Sequence, residues 1–345
     1  MFRENTDKKR ATIEDVAHLA GVSIATVSRV ISKPTVVRPS TRTHVMAAIQ
    51  ALDYQPDAAA RALASGRTHT VGCVIPTLDH AIFARTTQAL QTGLAQAGVQ
   101  LLVGSSNYEA ETEFQVARAF QQRGVDALVL VGTDHTPQMW DAVTDWGKPV
   151  VLTWSCDPRL PSIGFDNEAI AKRMTQHLLS LGHQRIAVVS GYTANNDRAR
   201  SRIKGVRMAL AEVGLKLSKA FLIEQSYNLN GGREALRQLM QLTPPPTAVF
   251  CVMDLLAAGV LLEAQHLKIK VPQSLSVCGI DNHDLAEAIS PGLTTISLPT
   301  LRLGEITAEH VLRAINGETI AKQTTLPFDL IVRGSTANAR HTGSG

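Results

Sequence analysis

Residues 11–31 read ATIEDVAHLAGVSIATVSRVI and divide into two short helical patterns about a tight turn. Thr12 is placed to cap the first helix, and Asp15 three residues on comes close to a capping box. Ile13, Val16, Ala17 and Ala20 recur at helical spacing. Gly21 suits the left-handed residue that ends a helix, and Ser23 suits the cap of the next one. Val27, Val30 and Ile31 give the second helix an apolar face, while Ile24, Ala25, Ser28 and Arg29 lie largely off it. Two short helices on a Gly-containing turn, the second with a polar edge, describe a helix-turn-helix. Two packed helices of any small α domain fit the same periodicity.

Working outward, SKPTVVRP is a loop in which Pro34 and Pro39 break helices at both ends. Ser40 or Thr41 starts a third helix running to about Asp53, with Val45, Ala48, Ile49 and Leu52 as its inner stripe. The next stretch, DAAARALASGR (57–67), is Ala-rich and short. Segments below about 12 residues are marginal as isolated helices, so it reads as a linker that is helical only with a partner. Arg61 and Leu63 are its large side chains, a cation and an apolar wedge.

The net charge of +4 is localised. Residues 1–67 hold ten Lys/Arg against six acids, and the rest of the chain is balanced at 24 of each. A basic arm on a neutral body suits a polyanion; a solvated basic surface is the plainer account.

From Val71 the rhythm changes. Apolar runs such as VGCVIP, ALVLVG and PVVLTW alternate with amphipathic helices, then the pattern restarts with SIGF, RIAVVS, TAVFCVM and LSVCGID. Runs apolar along their whole length are those of strands buried on both faces of a parallel sheet. Two successive series of similar size predict two doubly wound lobes. The fold class expected is an all-α helix-turn-helix head plus an α/β body of two lobes. The expected domains are a head over 1–56, a linker over 57–69, and the two-lobed body over 70–337. Within that body, lobe 1 takes about 70–163 and 293–325, and lobe 2 about 164–292 and 326–337. Residues 338–345 read as a disordered tail.

The 345 residues allow two or three domains. Composition, with 44% hydrophobic and 19% charged residues, is that of a soluble globular protein. No apolar run approaches the ~20 residues of a membrane span, and residues 1–11 lack a signal-peptide core; a cytoplasmic protein is expected. Cys73, Cys156, Cys251 and Cys278 are far apart and sit in or beside apolar runs, so buried free thiols are expected, with no metal and no cofactor. GxGxxG, P-loop, GxSxG and HExxH motifs are absent, and acids and histidines form no set with acid/base roles. A dehydrogenase and other enzymes are set aside on that ground, and a periplasmic sugar-binding protein on the basic head.

From about Ala11 to Thr336 the chain resembles the LacI/GalR family of transcriptional regulators. The resemblance is carried by TIEDVAHLAGVSIATVSRVI, by VRPSTRTHVMAAIQALDYQPDAAARALASGRT, and by GHQRIAVVSG, RIKGVRMAL, TAVFCVMDLLAAGVL, VPQSLSVCGIDN and LTTISLP. It implies a periplasmic-binding-protein-like sensor of type I, a homodimer, a pseudo-palindromic operator on double-stranded DNA, and a small effector between the lobes. It places Ile24 and Ala25 where family members select sequence, and neither side chain can hydrogen-bond to a base. Arg29, one turn on, is the expected polar reader. Thr12, Ser23, Thr26 and Ser28 match phosphate contacts, and Arg61 and Leu63 lie in the hinge helix, with Leu63 at the wedge that kinks the central step.

For the effector, the resemblance assigns Arg202, in RIKGV, as the arginine that grips the ligand, and Asp281, in GIDN, as the acid that accepts from its hydroxyls. Phe83, Trp154, Asn196, Arg198, Tyr227 and Asp254 are further expected lining residues. Met253 stands where the family usually has Asn, which puts one usual sugar contact in doubt. Arg198 and Arg202 are one turn apart and face one way, and two guanidiniums in one cleft favour an anion. HTPQMW, GFDNEAI and IEQS also resemble gluconate-type repressors. A sugar acid such as gluconate or a ketogluconate is therefore favoured over a neutral sugar.

Overall fold

A computed structural model of the chain describes residues 11–32, 34–55, 62 and 66–339. The hinge candidates Arg61 and Leu63 lie outside the described residues. The chain divides into two compact units between Thr70 and Val71.

The first unit holds α1 (Ile13–Ala20), α2 (Ile24–Ser32) and α3 (Pro39–Ala51). The capping box is complete: the Asp15 amide donates to Thr12 Oγ1 at 3.2 Å, and the Thr12 amide donates to Asp15 Oδ2 at 2.8 Å. Gly21 takes φ 63° and closes α1. The Thr26 amide donates to Ser23 Oγ at 3.2 Å, capping α2. Val16, Ala17, Val27, Val30, Val45 and Ala48 are buried together, so the three helices share one core. The third helix departs from expectation. It begins at Pro39, after Arg38, with no side-chain cap. Proline is tolerated at the first helical position because its missing N–H would be unpaired there anyway. Thr12→Ala should cost about 1 kcal/mol, read as roughly fivefold faster hydrogen exchange at the α1 amides; unchanged exchange would show that the cap is idle.

The second unit holds two six-stranded sheets, each the centre of one lobe. The first has the order β11-β5-β4-β3-β1-β2, from β1 (Thr70–Ile75), β2 (Gln100–Ser105), β3 (Ala127–Val131), β4 (Val150–Trp154), β5 (Ser162–Gly164) and β11 (Gln323–Thr325). The second has the order β12-β10-β9-β8-β6-β7, from β6 (Ile186–Ser190), β7 (Leu222–Glu224), β8 (Ala248–Cys251), β9 (Ser276–Asp281), β10 (Thr294–Ser297) and β12 (Asp329–Ile331). Strands β3, β4, β6, β8 and β9 are buried at every residue, as their unbroken apolar runs require. Helices cover both faces of each sheet: α4 (Ala81–Gln96), α5 (Ala110–Gln122), α6 (Pro137–Thr144) and α12 (Thr300–Ile315) belong to the first lobe. The second carries α7 (Asn167–Ser180), α8 (Asp197–Glu212), α9 (Leu229–Met240), α10 (Asp254–His266) and the short α11 (Asp284–Ala288).

One boundary shifts. Lobe 1 was expected to resume at 293, yet β10 pairs in parallel with β9, Thr294 against Cys278 and Ser297 against Asp281. The crossing back therefore falls at Leu298–Pro299, after which α12 packs on α4, with Thr86 Oγ1 donating to the Thr300 carbonyl at 3.1 Å. One tail residue is also held, since the Ala339 amide donates to the Leu181 carbonyl at 2.8 Å; residues 340–345 lie outside the described residues.

Candidate functional site

The helix-turn-helix presents the residues expected to read DNA on one open edge of the first unit. Ile24 is 46% exposed, and Ala25 and Arg29 are exposed beside it. Arg29 has no hydrogen-bond or ion-pair partner among the described residues. Exposed Arg38 and Arg42 add charge to the same unit. The hydroxyls expected on phosphates are already in local use: Ser23 Oγ and Thr26 Oγ1 are 2.9 Å apart, and Thr12 Oγ1 donates to Asp15 at 2.8 Å. Ser28 is half-buried. Leu19 of α1, which the spacing did not single out, is 54% exposed.

In the second unit the site forms where strands end. Asn107 and Tyr108 follow β2, Trp154 ends β4, Asn195 lies beyond β6, and Asp281 and Asn282 close β9; all six take positive φ. Non-glycine residues in that region are uncommon and cluster at sites where the surroundings hold them. These are the carboxyl ends of the strands, where open α/β sheets bind ligands.

Arg202, on α8, is 6% exposed and fixed at two points. Its Nε donates to Asn167 Oδ1 at 2.9 Å and its Nη1 to the Val252 carbonyl at 2.7 Å. Asn167 in turn donates from Nδ2 to the Trp154 carbonyl at 3.2 Å, tying the two lobes. Burial pulls the Arg202 pKa down, against the attraction of Asp281. Asp281 is 6% exposed, and neither carboxylate oxygen makes a well-formed hydrogen bond, the Asp254 amide being the backbone donor that approaches it. Burial pushes its carboxyl well above the usual range, with Arg202 opposing. A buried acceptor pair without donors costs free energy, and hydroxyl groups arriving between the lobes would satisfy it. The hydroxyl of Ser190, at the end of β6, is buried and unpartnered as well.

Arg198 is buried one turn before Arg202, as expected, but it is not free. Its Nη1 donates to Asp197 Oδ1 at 2.8 Å. Asp197 also accepts from Ser155 Oγ at 2.5 Å and Thr133 Oγ1 at 3.2 Å, both from the first lobe. Burial opposes ionisation of Asp197, but Arg198 and the two hydroxyls outweigh it and hold its pKa below the usual value. Arg200 faces the rim, where its Nη1 meets Asp134 Oδ2 of the first lobe at 2.8 Å. That pair is substantially exposed and worth little by itself.

The remaining expected residues divide. Tyr227 is half-buried; its hydroxyl accepts from Asn196 Nδ2 at 3.1 Å and its ring stacks on Tyr108 of the first lobe, centroids 6.0 Å apart. Asn196 spends its oxygen capping α8 through the Ala199 amide. Phe83 and Trp154 are each 2% exposed and meet edge to face at 5.2 Å, a core pair under the cleft floor. Asp254 has both oxygens engaged: Thr295 Oγ1 donates to Oδ1 at 2.6 Å and the His283 amide to Oδ2 at 2.9 Å. Burial raises its pKa to about 7. It holds the start of the Asp281 loop with both oxygens already accepting. Met253 is buried at the N-cap of α10 and makes no capping bond.

Asn167, Tyr108, His80, Asp197, Ser155 and Ser190 were not singled out by spacing or motif. Each is brought in by a chain crossing or a strand end. Only GFDNEAI, which contains Asn167, drew attention. Among the cysteines, Cys73, Cys251 and Cys278 are buried, and burial pushes the Cys73 thiol to about 12. Cys156 is half-buried, since it follows β4 on a loop whose outer side is open. Among the described residues no group of three or more His, Cys, Asp or Glu could hold a metal ion, and no helix is long and apolar enough to cross a membrane.

Comparison with known proteins bears on both units. Residues 12–57 match the model of bacterial regulatory proteins of the lacI family, and residues 175–336 match that of a periplasmic binding protein-like domain. The HTH-type transcriptional regulator GntR of Escherichia coli (strain K12) is 32% identical over 331 residues, 95% of this chain and 99% of that protein. The lac repressor dimer bound to operator and the anti-inducer ONPF superposes with a TM-score of 0.84 at 26% identity, over 95% of this chain and all of that one. A complex of the transcriptional regulator CelR with cellobiose gives 0.70 at 28%, over 94% and 100%.

Proposed function

Because the chain belongs to the LacI family and is a DNA-binding transcriptional regulator, we propose that it is a cytoplasmic, dimeric repressor of a carbohydrate or sugar-acid catabolic operon, released from its operator by gluconate or a ketogluconate bound between the lobes. Its relatives are transcriptional regulators, and the reading contains no enzymatic step. What supports the effector assignment is the burial of both Arg202 and Asp281 in one electrostatic neighbourhood, with the Asp281 carboxyl short of well-formed hydrogen bonds. A polyhydroxylated ligand supplies donors, and its anionic end suits the Arg202 and Arg198 guanidiniums.

The mechanism is linkage. Asp197, Asn167 and Tyr227 tie one lobe to the other, so a ligand that binds one setting of the lobes better shifts the population toward it. The lobes act on DNA through residues 57–69, where Leu63 is the wedge and Arg61 a companion contact. Arg29 reads bases, Ile24 and Ala25 shape the fit to the groove, and Thr12, Ser23, Thr26 and Ser28 approach phosphates. Half-sites are arranged as a pseudo-palindrome because a two-fold dimer reads both.

Fluorescence anisotropy with DNA flanking the gene tests this reading. Binding should fall steeply with salt and fall further with gluconate. Leu63→Ala should lose at least about tenfold in operator affinity, about 1.4 kcal/mol, with gluconate binding intact. A neutral sugar is the second reading, favoured by the Asp197–Arg198 pair, which already neutralises one guanidinium. Release by ribose or cellobiose with no effect of gluconate would select it; binding to DNA that does not depend on salt would remove the regulator reading of the head.

A further inference from the structure

His80 stands at the N-cap of α4 with no side-chain capping bond, and it is 8% exposed. Its two ring nitrogens have different fates. Nε2 lies 3.2 Å from the Tyr227 carbonyl, which belongs to the other lobe. A carbonyl only accepts, so Nε2 carries the proton. Burial draws the His80 pKa below its usual value, against the Tyr227 carbonyl and Asp79, so the ring is neutral at neutral pH. In a neutral imidazole the second nitrogen is then a bare lone pair. That nitrogen, Nδ1, is buried and meets no donor.

The surroundings confine it. Phe83 stacks near the ring at 6.2 Å, Tyr227 meets it edge-on at 5.5 Å and Tyr108 is tilted at 6.5 Å. Tyr108 and Tyr227 in turn feel the charges of Arg198, Arg202 and Asp281. Through these two rings His80 is linked, from the facing lobe, to the surroundings of Arg202 and Asp281.

We propose that His80 is a specificity residue for the effector: its Nδ1 accepts a hydroxyl proton of the bound ligand while its Nε2 holds the Tyr227 carbonyl across the cleft. The inference rests on the effector reading above and deepens it. A ligand without a hydroxyl at the matching carbon leaves a buried acceptor unpaired, and sites built to hydrogen-bond a hydroxyl reject analogues that lack it. One ring thus joins ligand recognition to lobe closure.

Two arms test the proposal on the full chain. Without ligand, ¹⁵N NMR of the histidine side chains should place the His80 proton on Nε2; a proton on Nδ1 overturns the proposal at once. With ligand, isothermal titration compares gluconate with its series of monodeoxy analogues. In the unaltered protein one analogue should bind at least about fivefold more weakly than gluconate. His80→Gln, whose amide reaches the Nε2 place and lacks an acceptor at the Nδ1 place, should bind gluconate and that analogue equally. His80→Asn, which keeps a polar atom at the Nδ1 place, should preserve the discrimination. A deoxy penalty identical in the unaltered protein and in His80→Gln overturns the proposal alone. Absence of gluconate binding to the unaltered protein removes the sugar-acid reading and this proposal with it.

Discussion

Arg202→Ala should abolish the effector response. The guanidinium bonds Asn167 Oδ1 and the Val252 carbonyl from inside the fold, and its charge is the main attraction opposing protonation of Asp281. Alanine removes all three roles. It leaves a buried carbonyl and an amide oxygen without donors, and Asp281 without its counter-charge. Leaving a buried acceptor unsatisfied costs about 1–3 kcal/mol, so the second unit should also unfold at lower urea. Arg202→Lys separates the effects, because a lysine keeps charge but loses the planar fork. It should recover part of the stability and still bind gluconate at least about tenfold more weakly, a loss of about 1.4 kcal/mol. Arg202→Ala with native gluconate affinity by titration calorimetry would place the effector elsewhere.

Gly132→Ala attacks the same closure from the other lobe. Gly132 follows β3 with φ 85°, and a Cβ there would collide with Arg198 Nη1 and Asp197 Oδ1. Left-handed backbone costs an alanine about 1–2 kcal/mol. The larger effect is steric. Arg198 and Asp197 are both nearly buried and tied to Ser155 and Thr133, so they cannot swing aside without undoing the junction between lobes. The closed setting should lose population, with gluconate affinity down at least about tenfold and DNA binding in the absence of ligand little changed. Native affinity for gluconate in this variant would mean that the Asp197 cluster plays no part in closure. Gly132→Val should be worse than alanine, since β-branched residues resist positive φ.

Much of the fold was legible because its signals are local. Thr12 with Asp15, Gly21 and Ser23 are neighbours in the chain, and caps and turns depend on just such neighbours; all three behave in the structure as their spacing implies. The buried strands were legible from unbroken apolar runs for the same reason. Pro39 misled because the residue that breaks a helix interior is also tolerated at its first turn. β10 misled because TTISLP is apolar enough for either sheet, and only its partner β9 decides. The family pattern pointed to Arg202 and Asp281, and both are buried, but it gave no hint that Arg198 is paired or that both Asp254 oxygens accept hydrogen bonds.

By itself the sequence determined a helix-turn-helix head, a basic excess confined to it, and two parallel-sheet lobes, since these follow from caps, charge counts and periodicities a few residues long. Tertiary structure alone decided what faces what. Three crossings between the lobes bring His80, Thr133 and Ser155 against Tyr227 and Asp197, partners 42 to 147 residues apart. Hydrogen bonding and burial are properties of distance in space, and no local pattern records which buried oxygen or ring nitrogen is left without a partner.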